Sequence, residues 1–220
     1  GKKIGLGFGL LLFSTIAIFL TTRLTLDSSK KINKHNTVTL SPSVDELQEL
    51  KIQILESQML ITNWANVQTA NEHPEKEKLR KLIRERYPIL KEGIEKLSKD
   101  WSADEVGLAK DTLFPEIDEL FGYYNKVMTE LSKFEDYDEP SIQFVINFMI
   151  GEGGDIPYQA SRVISHLDKL ILSQRQKTKA GNDDMLKSFN LLGFLVNNVG
   201  VALFLGGIII AFLTIRTIVK

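Results

Sequence analysis

The chain contains no cysteine, so no disulfide supports it and no thiol chemistry is available. That absence leaves periplasm, cell exterior and a reducing lumen all open. Histidine is scarce, with His35, His73 and His166 the three present. His73 stands beside Pro74 in a turn, and His166 and Asp168 are two apart, on different sides of a helix. There is no H-E-x-x-H, no Gly-rich phosphate loop followed by Lys-Ser, and no G-x-S-x-G. No catalytic residue, metal site or cofactor is therefore expected. No Val/Ile/Thr alternation with Asn-Gly turns occurs, which argues against a β domain.

Charge is missing from two long stretches. Residues 4–20 read IGLGFGLLLFSTIAIFL, and Thr21-Thr22 extend the run to Arg23. At about 1.5 Å per residue it approaches the roughly 30 Å of a hydrocarbon core. Residues 189–215 are equally free of charge and long enough to span with a tilt. A mean hydropathy of −0.05 conceals both. A cleaved signal peptide is the alternative for the first run. Its apolar part would be shorter, about 7–15 residues, and end at a small-residue site, whereas this run closes on Thr21-Thr22-Arg23. The chain begins with Gly rather than Met, so its true start is expected to be missing or processed.

Lys2 and Lys3 precede the first run, Arg216 and Lys220 follow the second, and every acidic residue lies between. Basic flanks on one side predict two spans with both termini cytoplasmic. The expected layout is a tail at 1–3, a span at 4–22, an outer domain at 23–188, a span at 189–215 and a linker from 216. The mildly acidic middle argues against a nucleic-acid partner. The lipid bilayer is the expected one.

The middle is helical in pattern. Ser43-Val44-Asp45-Glu46 reads as a capping box after Pro42. Leu47, Leu50, Ile54, Ser57, Ile61 and Trp64 then keep heptad spacing toward about Ala70. A second run holds Leu79, Ile83, Leu90, Ile94, Leu97 and Trp101, with Arg86 or Tyr87 filling the gap and Pro88 predicting a kink. Ser102–Glu105 is another capping box. Leu113, Ile117, Leu120, Tyr124, Val127, Leu131 and Phe134 alternate by four and three, with a kink expected at Pro115. The fourth run, 141–150, is interrupted at 151–157 and resumes from Tyr158 through Val163, Leu167, Leu170 and Ile171. Four runs that start and end at the membrane predict an all-α, up-down four-helix bundle.

Few residues stand out as sites. Arg80, Arg84 and Tyr87 fall on one helical face, read either as a salt-bridged surface or as an anion site, since Arg forks match carboxylates and phosphates. Trp64 is a core packing residue or a ligand shelf. Gly5 and Gly9, and Gly207 and Ala211, form small-xxx-small pairs that predict close helix packing in the membrane. Gly193, Asn197, Gly200, Phe204 and Gly207 continue that face at spacings of four and three. Asn197 and Asn198 either bond between helices or meet water at the outer interface.

Three stretches carry a resemblance: KIGLGFGLLL at 3–12, TLSPSVDELQELKIQILESQMLITNW at 39–64 and FLTIRTIVK at 212–220. They resemble the first membrane helix, the first sensor helix and the second membrane helix running into a HAMP linker of bacterial methyl-accepting chemoreceptors. The resemblance implies a homodimeric receptor of the bacterial inner (plasma) membrane. It implies sensing of a small molecule or a periplasmic binding protein. The output module beyond Lys220 would be a chemoreceptor signalling rod, a histidine kinase, a phosphatase or a cyclase. The break at 151–157 departs from the long last helix of that family. Two rival expectations stand beside it. One is a structural or adaptor membrane protein whose bundle binds a partner protein. The other is a membrane-anchored enzyme whose catalytic part follows Lys220.

Overall fold

Heptad spacing becomes helix throughout, and the prolines decide how the helices are joined. The structure, a computed structural model, describes residues 2–218. Gly1 and the expected basic end at Lys220 lie outside them, as do the side chains of Lys2 and Lys3. The described residues contain helices and no strand: α1 Lys2–His35, α2 Ser41–Asn66, α3 Pro74–Lys81, α4 Tyr87–Leu97, α5 Ala103–Gly107, α6 Phe114–Glu130, α7 Pro140–Ile150 and α8 Asp155–Ile218.

Three π-helical turns, Asn36–Leu40, Leu82–Arg86 and Leu108–Leu113, join α1 to α2, α3 to α4 and α5 to α6. Each is followed by a proline at the second residue of the next helix, Pro42, Pro88 and Pro115. Proline has no N–H to give, and in a tight α-turn its ring meets the carbonyl four residues back. A wide turn absorbs that conflict. The Tyr87 N–H therefore reaches Leu82 O, and the Phe114 N–H reaches Ala109 O, five residues back. The expected kinks at Pro88 and Pro115 take this form.

The wide turns correct the sequence reading in two places. Ser43 does not start a helix: α1 runs through the first π turn into α2. Its buried hydroxyl donates to Thr39 O at 2.6 Å and accepts from the Trp101 indole at 2.9 Å. In the second run the extra residue of the π turn rotates the face, so Leu82 and Tyr87 are buried, Ile83 is partly buried and Arg86 is exposed. The Ser102–Glu105 capping box is present as expected. Phe134, expected on the third seam, lies beyond the end of α6 and is exposed.

The chain divides into two compact units, Gly1–Thr37 with Thr178–Lys220 and Val38–Lys177. The larger, Val38–Lys177, is a set of four helical stretches around one apolar core: α2, α3 with α4, α5 with α6, and α7 with the start of α8. α2 packs against α3, α4, α6 and α7. Leu47, Leu50, Ile54, Leu79, Ile94, Leu113, Ile117, Leu120, Val163 and Leu167 are fully buried. Each contributes about 1.5–3 kcal/mol by leaving water. Glycines make the break between α7 and α8: Gly153 has φ +79°, and a Cβ on Gly154 would fall 2.3 Å from Phe148 O. Asp155 opens α8, so Pro157 lies in a first turn that tolerates it.

The other unit holds α1 and the rest of α8. Among the described residues, one C-terminal helical run is long and apolar enough to cross a membrane, with a mean hydropathy of 2.3 and none of that window buried. Within this unit α1 and α8 approach closely at Gly181, where a Cβ would come within 3.1–3.2 Å of the Asn36 amide and Ile32. The Asn36 amide donates to Asn182 Oδ1 at 2.9 Å.

Candidate functional site

Two buried carboxylates hold the first part of α8 in the bundle. Glu116, just after Pro115 on α6, points at three residues on one face of α8. Its carboxylate accepts from Arg162 and lies 2.8 Å from His166 Nδ1, while its backbone carbonyl accepts from the Gln159 amide at 3.1 Å. Glu105, on α5, accepts from Ser173 Oγ at 2.6 Å and from Lys177. The same carboxylate caps its own helix through the Ser102 N–H at 2.9 Å and the Ser102 hydroxyl at 2.8 Å. Residues 159, 162, 166, 173 and 177 recur on one stripe of α8, so the two acids act as successive clasps on one helix.

Burial alone would raise the Glu105 pKa. The Lys177 ammonium, the Ser173 and Ser102 hydroxyls and the Ser102 N–H outweigh it and bring the pKa down to about 2. A third link, Lys51 Nζ to Asp168 at 2.7 Å, ties α8 to α2 at the surface. Thr39 Oγ1 donates to Asp100 at 3.2 Å.

A second cluster surrounds Trp64. Its ring is stacked by Lys76 Nζ at 4.9 Å and by the Arg80 guanidinium at 4.9 Å from the centroid. The indole N–H donates to Leu131 O at 3.4 Å, and Tyr137 donates to Trp64 O at 2.6 Å. Lys76 is buried and donates to Thr69 O at 2.9 Å. Burial first, and then the Arg80 charge, lower its pKa. Burial and the neighbouring Asp136 push the Tyr137 hydroxyl up to about 12. Arg80 also donates to Asn71 O at 2.9 Å and to the Asn71 side chain. These bonds close the 67–73 turn over the tryptophan.

The structure therefore brings Arg80 and Trp64 together and separates the other two members of that candidate set. Arg84 is exposed and makes no hydrogen bond or ion pair among the described residues. Tyr87 is buried edge-on to Phe121, with centroids 5.1 Å apart. Among the described residues its hydroxyl has no partner at hydrogen-bond geometry, and burial followed by the nearby Asp118 carboxylate raises its pKa. The π turn at Leu82–Arg86 is the reason: seven residues no longer return to one face.

No family model, curated protein or solved structure matches the chain.

In the smaller unit, Phe13, Ala17 and Thr21 of α1 and Leu192, Leu195 and Val199 of α8 line a groove of about 240 Å³. The glycines read as packing positions face open space. A Cβ on Gly5, Gly9, Gly193, Gly200 or Gly207 would meet no atom within 4 Å, and Ala211 is exposed. Among the described residues of one chain, an added carbon at these glycines has no close neighbour. Asn198 donates to Phe194 O of its own helix at 2.8 Å, and Asn197 is exposed.

Sequence reasoning missed Glu105 and Glu116 as the residues that grip α8. Glu105 was visible through its capping box alone. Glu116 stands beside seam residue Ile117, and its burial follows from the partners that α8 supplies.

Proposed function

We propose that the chain is the sensory input module of a bacterial transmembrane receptor, with the bundle as an up-down sensor outside the membrane. It resembles the chemoreceptor class in layout, and the output module would follow the second span. The single observation that carries the reading is α8. One helix supplies the fourth stretch of the bundle core, accepts the Glu105 and Glu116 clasps, and contains the apolar window. A stimulus that favours one arrangement of the clasped segment acts on the same helix that enters the membrane. It can do so only by binding one arrangement better than the other. A coupling of roughly 1–3 kcal/mol is sufficient to shift a balanced pair of states.

Two measurements test this. Single cysteines at Lys126 and Arg216, in a chain that has none, are exposed to a membrane-impermeant maleimide in intact cells. Labelling at Lys126→Cys but not at Arg216→Cys is expected, and the reverse pattern overturns the topology. A thermal-shift screen of the full chain in detergent against small metabolites tests sensing. A compound that raises the melting temperature supports the receptor. If none does, direct small-ligand sensing fails and the adaptor reading gains.

A further inference from the structure

α7 is apolar on two sides, and the bundle covers one of them. Its sequence, PSIQFVINFMI, contains no charge. Ile146 and Met149 are buried, and Ile142 and Ile150 pack against the same core. On the other side Phe144, Val145 and Phe148 stand 76%, 50% and 70% exposed. A helix that is apolar all round is normally buried all round, so among the described residues this face lacks its cover.

Acids stand at both ends of α7. Glu135, Asp136, Asp138 and Glu139 precede it, and Glu152 and Asp155 follow it. No Lys, Arg or His occurs between Lys133 and Arg162. Among the described residues none of these six acids forms an ion pair. The free carbonyls at the C-terminal end of α7 add negative potential beside Glu152 and Asp155.

We infer that this face docks a short cationic amphipathic peptide, helical when bound. Its apolar side covers Phe144, Val145 and Phe148, and its Lys or Arg side chains meet the acids at the two ends. The inference deepens the receptor reading by naming a ligand class. It rests on that reading for the consequence of binding and not for binding itself.

Area and charge choose this occupant. The three side chains leave on the order of 300–400 Å² of apolar surface open. That is half or less of the roughly 800 Å² per partner that a stable protein pair buries, and it suits one short helix. Phe144 and Phe148 have the i, i+4 spacing by which an amphipathic helix is gripped. A two-fold contact pairs each patch with itself, so a second copy on this face would set the same acids against one another. The acids repel an anionic lipid surface equally. A cationic partner turns the same border into attraction.

The test uses the full chain in nanodiscs of phosphatidylcholine, whose surface carries no net charge. The probe is a fluorescein-labelled peptide of about 14 residues, with Leu on one face and Lys on the other. Its twin has Glu in place of every Lys. Fluorescence polarisation reads binding, with empty nanodiscs as the blank. The Lys peptide is expected to bind at least about tenfold more tightly than its twin. It should lose most of its affinity between about 50 and 300 mM salt. Phe144→Ser with Phe148→Ser is expected to weaken binding about tenfold or more and to leave the helical melting curve in place. Glu139→Gln with Glu152→Gln, which alters no core residue, is expected to weaken binding and flatten its salt dependence. If the Phe variant melts early, this second variant decides. Equal binding of the two peptides, or none above the blank, overturns the inference. A Phe variant that binds the peptide as the parent does overturns the assigned face. So does weaker self-association of that variant with peptide binding unchanged, which gives the face to a second copy. Nanodiscs expose both sides of the membrane, so this inference and the receptor reading fail separately.

Discussion

Ser57 and Tyr124 share a hydrogen bond of 3.2 Å in the bundle core, and the two hydroxyls are not equivalent. Ser57 also donates to Ile54 O at 2.7 Å, so it keeps a partner without the tyrosine. Among the described residues Tyr124 has no second partner, and its burial outweighs the Ser57 bond and raises its pKa. Tyr124→Phe should therefore cost under about 1 kcal/mol, because no polar atom is stranded. Ser57→Ala should cost about 1–3 kcal/mol, because it leaves a buried phenol unpaired. Adding Tyr124→Phe to Ser57→Ala should recover most of that loss. Urea denaturation of the four chains checks this, and equal costs for the two single variants would refute it.

Acid should loosen the Glu105 clasp in a defined window. The folded-state pKa is depressed, from 4.5 to about 2. For a depressed carboxyl, the stabilisation is fully present above the unfolded value and is lost as pH falls through the folded value. The contribution of Glu105 is thus intact at neutral pH and disappears between about pH 4.5 and pH 2. Lys177 is partly exposed, so solvent screens the pair, and Glu105→Gln should cost about 1–2 kcal/mol at pH 7. The variant should also show a flatter decline of melting temperature below about pH 4.5 than the parent chain. Parallel declines in the two chains would show that other carboxyls dominate the acid response.

Legibility differed between the core and its joints. The heptad residues Leu47, Ile54, Ile61, Leu113, Ile117, Leu120 and Tyr124 were readable because a buried helical face repeats every three or four residues, and that repeat depends on sequence alone. The joints were not. A proline inside a helical pattern signals a lost N–H, but a kink and a π turn both answer that loss. The choice depends on which neighbours the rotated face then meets. Ile83 and Leu82 show the consequence, since one extra residue in the turn exchanged their burial. Glu116 was hidden for a related reason: a buried acid becomes tolerable only when Arg162 and His166 arrive from another helix, far later in sequence.

Glycine substitutions should split by backbone. Gly122 lies mid-way along α6, where an added Cβ would meet no atom within 4 Å. Gly122→Ala should stabilise the bundle by about 0.5–1 kcal/mol, by removing backbone freedom from the unfolded chain. At Gly154 the added carbon would sit 2.3 Å from Phe148 O and 2.6 Å from Met149 O. Both obstacles are backbone, so the turn itself must move, and Gly154→Ala should cost more than about 1 kcal/mol. Thermal melts followed by circular dichroism distinguish the two. Stabilisation by Gly154→Ala would mean that the break between α7 and α8 is not held in this form.

Arg80 and Arg84 were indistinguishable as sequence and should behave differently as variants. Arg80 lies 4.9 Å from the Trp64 centroid and fastens the 67–73 turn through Asn71. Removing it takes away a stacked cation and two donors at once, so Arg80→Ala should destabilise by about 1–2 kcal/mol. Arg80→Lys should recover only part, because an ammonium has no planar fork to stack and bond together. Arg84 is exposed and unengaged among the described residues, so Arg84→Ala should stay within about 0.5 kcal/mol of the parent. Loss of stability in Arg84→Ala, or none in Arg80→Ala, would contradict the division of labour that the Trp64 cluster imposes.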